Sequence, residues 1–250
     1  MTVAEKFGRE LEVFRTEGES GTQFLYAYLA VHAVAYDNES VHSLLNTAPL
    51  FWNTCLGALQ TAAFIALGRV FDQQSRHNVD AVLRLAQDNP QIFSKESLAQ
   101  RKYDGKGERP DWLDDYLKNA YEPTAADFRR LRAHVNRRRK IYEAKYRDVR
   151  HKYFAHKAVS DPAETAVLFS KGSNQELQQL FVFLGSLYHA LWELFYNGHK
   201  PILRPLRYSV RRMRKVPSAS YRRGTVQEQI LREAEQFLRA AATTAVRSNE

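Results

Sequence analysis

Cysteine is almost absent from this 250-residue chain: the single thiol, Cys55, excludes an internal disulfide framework and fits a reducing compartment. Also missing are a glycine-rich phosphate loop, a Cys/His set at zinc spacing, a di-metal Glu-x-x-His pattern and a nucleophile motif around any serine. No metal and no cofactor is therefore expected. No stretch of useful length alternates apolar and polar residues, no segment repeats, and no heptad array is sustained, which argues against sheets and coiled coils. Long apolar runs are lacking too. Residues 54–68 contain Gln60, and residues 180–196 are interrupted by His189 and Glu193. Both fall short of the roughly 18–20 residues that a membrane-spanning helix needs, so buried core helices are expected. The first residues mix charge through their apolar positions and show no signal-peptide core. A cytoplasmic protein with no membrane partner is the expectation.

What is present is positive charge, 37 Lys and Arg against 28 Asp and Glu, and it is concentrated. Residues 124–157 and 200–223 each carry a net +9, so the remainder of the chain sums to −9. Such asymmetry suggests an anionic partner, RNA above all, although a solvated cationic face would have the same composition.

Helical periodicity dominates. It predicts a short helix over residues 2–15, ended by a break at Gly18-Glu19-Ser20-Gly21, then helices over 22–36, 40–45 and 49–71. Pro49 is tolerated in a first turn, where its missing N–H has no intrahelical partner. Asn78 is placed to cap a helix over 79–87, and Thr124 to cap a long basic helix reaching about residue 156. Asp161-Pro162 interrupts, and an exposed stretch leads to Ser173 or Asn174, the cap of an apolar helix ending near Tyr196. Residues 226–242 form a last amphipathic helix. The four long helices are what an antiparallel bundle requires, giving an all-α fold. Its expected parts are a bundle domain over 1–198, a basic arm over 199–224 and a C-terminal helix over 225–250.

The most informative segment is Arg150-His151-Lys152-Tyr153-Phe154-Ala155-His156. A histidine titrates near neutrality and can move a proton at a ribose 2′-hydroxyl or a leaving oxygen, while an arginine clamps the phosphate between them. Arg129 and His134 also stand at a similar spacing, but inside a charge-rich helix and without the aromatic-alanine run, so that match is read as chance. The run at 150–156 resembles the Arg-x(4–6)-His signature of the HEPN superfamily, whose all-helical members include RNA-cutting toxins and abortive-infection proteins. A second stretch, Gly68-Arg69-Val70-Phe71-Asp72 followed by residues 78–85, is similar to the corresponding segment of abortive-infection HEPN proteins. The likeness covers about residues 20–198.

That resemblance implies a metal-independent endoribonuclease of toxin–antitoxin or phage-defence type, with Arg150 and His156 catalytic. It also implies a homodimer in which motif helices meet, and restraint by an antitoxin protein. On a straight α-helix, residues six apart lie roughly 120° from one face, so Arg150 and His156 converge only if the helix ends or kinks, or if two copies share a cleft. His151 departs from the Asn or Asp usual after the arginine; it either hydrogen-bonds in the cleft or pairs on the surface with Arg147 or Asp148. Asp148 either orients a cation or makes an ordinary ion pair. Arg69 and Asp72 either shape the cleft or form a local pair. Expected RNA contacts are Arg137, Arg138, Arg139 and Lys140 around one helix turn, Lys152 and Lys157 at the motif, and Arg211, Arg212, Arg214 and Lys215 in the arm. A non-catalytic HEPN module binding RNA or a protein is the alternative.

Overall fold

The computed structural model describes residues 1–103, 105–155, 161–216 and 224–247. Among them there are helices and no strand, as the periodicity predicts. In chain order these are α1 (Val3–Asp37), α2 (Glu39–Thr47), α3 (Pro49–Phe71) and α4 (Val79–Asp88), then a 3-10 turn (Pro90–Phe93), α5 (Lys95–Lys102), α6 (Trp112–Lys118) and α7 (Ala125–Lys145). A π-helical segment (Val149–Ala155), α8 (Pro162–Ser170), α9 (Asn174–Asn197), α10 (Val210–Lys215) and α11 (Val226–Arg247) complete the series.

The ends follow local chemistry. Asn78 caps α4 by accepting from the Ala81 N–H, and its amide donates to the Gln73 and Ser75 carbonyls. At α7, Asp127 reaches back to accept from the Thr124 N–H and hydroxyl, one half of a capping box. Ser173, rather than Asn174, caps α9 by accepting from the Glu176 N–H.

Three expectations are corrected. The break at Gly18–Gly21 does not occur: α1 runs through it for 35 residues. Gly21 serves packing instead, since a methyl there would stand 2.3 Å from the Phe181 ring and 3.0 Å from Ala66 Cβ. The exposed stretch after Asp161-Pro162 is α8: Asp161 accepts from the Ala163 and Glu164 N–H groups and Pro162 occupies the first turn, where proline starts a helix rather than ending one. The basic helix ends at Lys145, not near residue 156.

The residues fall into two compact units. The first comprises Met1–Glu17, Arg69–Ala144 and Phe183–Leu206. Its core joins Phe7, Leu11, Phe93, Leu131, Leu191 and Phe195, with the Phe7 ring 5.3 Å from Phe93 and 4.9 Å from Phe195. Polar side chains reaching into it find partners, although Arg101 Nη2, Arg132 Nε and Arg139 Nε are buried without a hydrogen bond. Arg139 is 7% exposed and held by Asp80, and the Tyr142 hydroxyl donates to Asp72 at 2.9 Å. Arg101 donates to the Phe195 and Ile92 carbonyls, satisfying the C-terminal end of α9, and burial pulls its pKa down to about 10.

The second unit comprises Gly18–Gly68, Lys145–Val182 and Arg207–Glu250. Leu25, Tyr26, Phe64, Leu67, Leu180 and Phe181 are buried in it. A smaller cluster of Val31, Val34, Val41, Leu238 and Ala242 is flanked by Leu44, Trp52 and Leu56. Burial raises the Tyr26 hydroxyl pKa above the usual phenol range, and that hydroxyl donates to the Tyr208 carbonyl.

Helix α3 corrects the reading of its apolar run. Beginning at Pro49 it is long and apolar enough, by length and composition, to cross a membrane, and only 28% of its most apolar window is buried. Ala63, Phe64 and Leu67 are buried, but Leu50 is 82% exposed and Phe51 60% exposed. The core-helix expectation thus describes only its C-terminal half.

Candidate active site

The motif arginine sits on the π-helical segment of the second unit. Such i→i+5 turns are rare and often mark functional sites. Here the turn replaces the α-helical wheel over Arg150–Ala155, so the face-to-face geometry expected of a straight helix does not apply. The segment is anchored by Val149, 1% exposed, and by Phe154, which stacks on Phe64 at 4.8 Å. Tyr146 precedes it, donating its hydroxyl proton to the Ser173 carbonyl at 2.8 Å. Burial pushes that phenol up to about 12. Behind Val149, a cavity of about 60 Å³ is lined by Leu25, Tyr28, Phe64, Tyr146 and Phe169.

Arg150 is half-buried, and its guanidinium lies against the end of α3, where Gly68 offers no side chain. Arg150 Nη1 and His151 Nε2 are 2.8 Å apart. A guanidinium has donors and no acceptor, so in this contact Nε2 is the accepting nitrogen. His151 therefore meets its neighbouring arginine, rather than Arg147 or Asp148 on the surface. Asp148 pairs with Lys152 at 3.2 Å. The hydrogen bond from Lys152 comes first among the causes that lower its pKa, with the charges of Lys152, Lys171 and Arg147 adding to it. Arg147 is exposed. His156 and Lys157 lie outside the described residues.

The other expected contacts divide sharply. Arg137 and Lys140 are exposed, and Arg138 lies over the Phe183 ring at 5.5 Å. Arg139 is withdrawn from solvent by Asp80, so this helix turn does not present charge all round. In the arm, Arg211, Arg212 and Lys215 are exposed. Arg214 instead binds the Ala33 carbonyl and Asp37 at the end of α1, and Glu235 on α11, a cation placed where a helix dipole is negative. Arg69 pairs with Glu17 at 3.2 Å and not with Asp72. The incidental match fares differently again: Arg129 is exposed, while burial first, then Arg137, Arg138 and Arg130, lower the His134 pKa.

With this geometry, one comparison decides the family. The sequence matches the HEPN_AbiU2 family (AbiU2) over residues 4–214. The chain belongs to that family. No curated protein and no solved structure matches it. The HEPN_AbiU2 match makes this an abortive-infection HEPN-domain protein, and its all-α fold agrees. It also reaches further than residues 20–198, taking in the start of α1 and the arm through Arg214. Sequence reasoning missed Gly68 as the neighbour of Arg150, and Asp80 as the partner of Arg139. The first had a faint signal, a glycine inside an apolar helix; the second had none, because the pair is 59 positions apart.

Proposed function

We propose that the chain is a metal-independent endoribonuclease that acts in toxin–antitoxin or phage defence. A ribose 2′-oxygen attacks the adjacent phosphorus, the bond to the 5′-oxygen breaks, and a 2′,3′-cyclic phosphate and a free 5′-hydroxyl result. His156 moves the protons, one copy as base and the copy from a second subunit as acid, and Arg150 stabilises charge on the pentacoordinate phosphate. The observation that carries this reading is the Arg150 guanidinium, half-buried and met by His151 on a π turn, in a chain of the HEPN_AbiU2 family. Lys152 and Arg147 add exposed charge on and beside the same turn. The working form is a cytoplasmic homodimer acting on RNA and held in check by an antitoxin protein.

The test is cleavage of RNA by purified protein in EDTA. Arg150→Ala and His156→Ala are each expected to slow it by about 10²–10³-fold. Cleavage at the parent rate in both variants would refute the assignment, and binding of RNA without any cleavage would leave a HEPN module that only binds.

A further inference from the structure

Gly68 occupies a position that no backbone requirement explains. It lies within α3 and is buried, and it is not among the glycines with positive φ, which are Gly105, Gly107 and Gly198. Glycine is a poor helix former, second only to proline. Something other than conformation must favour it. The neighbour is Arg150: a methyl group on Gly68 would stand 2.6 Å from Arg150 Nε, 3.0 Å from Cζ and 3.1 Å from Cδ. Non-bonded carbon and nitrogen atoms settle near 3.5–4.0 Å, so such a methyl and the observed guanidinium cannot coexist. Arg150 Nε is buried, and Nη1 meets His151.

We infer that Gly68 is a positioning residue for Arg150, its missing side chain being the slot in which the guanidinium is held. The inference rests on the nuclease reading for its catalytic meaning, but the placement of the guanidinium can be tested without it. The slot is bounded by α3 on the side of Nε and by His151 on the side of Nη1. The obstacle a methyl would meet is the tip of a flexible side chain. It would therefore turn the guanidinium aside and leave the helix packing in place. Gly21 is the contrasting case, since the group against it is the Phe181 ring, which is only 1% exposed.

The experiment compares Gly68→Ala, Arg150→Ala and the double variant in the full chain. Gly68→Ala is expected to keep the helical circular dichroism and melt close to the parent. Its kcat for RNA cleavage should fall about 10²-fold, the scale of a misplacement near 1 Å, with little change in KM. In the Arg150→Ala background Gly68→Ala should add nothing. The Nε–H resonance of Arg150, assigned by its loss in Arg150→Ala, gives a readout that does not depend on activity: it should exchange slowly with solvent in the parent, and shift and exchange faster in Gly68→Ala. An unchanged resonance in Gly68→Ala, or losses that add in the double variant, would overturn the inference. If Arg150→Ala cleaves as the parent does, the nuclease reading fails, and the resonance still decides the role of Gly68.

Discussion

Arg139 shows how far one residue can stand from its apparent role. Its side chain is 9% exposed and that of Asp80 13%, so the pair is a desolvated one in which neither partner can be lost alone. Removing one member of such a pair leaves a buried charge uncompensated, at about 3–5 kcal/mol. Asp80→Ala is therefore expected to lower the unfolding free energy by about that amount in urea titration. Lys140→Ala, one position along on an exposed site, should stay within about 0.5 kcal/mol. Equal effects would mean that the pair is not buried in solution. The same contrast explains what could be read in advance. Arg150 and His156 could be singled out because they stand six positions apart in the chain and are chemically distinctive. Arg139 looked like a phosphate contact because nothing in a run of four cations says which one turns inward. Arg214 was misread for the same reason: its partners Asp37 and Glu235 come from distant stretches of sequence.

At the scale of helices, most boundaries were legible and most failures involved glycine or proline. Asn78 and Ser173 announce their caps because short polar side chains satisfy exposed N–H groups. Gly18-Glu19-Ser20-Gly21 was taken for a break because glycine is weak in helices, yet the packing of Phe181 against Gly21 holds α1 continuous. This gives a sign test. If Gly21 were only a tolerated helix weakness, Gly21→Ala would stabilise by about 1 kcal/mol. Overpacking against a ring is expected instead to cost about 1–3 kcal/mol, so the melting temperature should fall. A rise would show that Phe181 does not hold that position. Pro162 was misjudged in the opposite sense, as an interruption, although the carboxylate of Asp161 makes it the first turn of α8.

For the whole molecule, the acidic groups set the response to strong acid. Burial acts to raise the pKa of Asp127, but hydrogen bonds from Tyr121 and Thr124 and the charge of Arg130 outweigh it, leaving a net lowering. In Glu176 the hydrogen bond from Lys145 dominates, again lowering the value. Burial opposes the lowering of Glu235, where Arg214 and Arg239 prevail. A carboxylate whose folded pKa lies below its unfolded one contributes stability above the unfolded value and loses it as pH falls through the folded one. The urea midpoint is therefore expected to drop on the acid side of about pH 4, after a first decline below about pH 6.5, where His32 and His134, lowered by burial, bind protons more readily unfolded than folded. Glu176→Gln should start lower at neutral pH and fall less steeply; an unaltered acid limb would show that the Lys145 contact does not persist in solution. The all-α class was legible at this scale from periodicity alone, whereas the grouping of residues 1–17 with 69–144 and 183–206 was not, because it depends on contacts between distant stretches. The π turn at Val149–Ala155 has a consequence of its own. A π turn is an α-helix that has swallowed one surplus amino acid, closing its rings over five positions instead of four. Deleting one residue within Val149–Ala155 would bring that segment back toward ordinary α winding. Each residue from Arg150 to Ala155 therefore advances by a smaller angle than on an α-helix, so one insertion or deletion there changes which side chains share a face with the guanidinium.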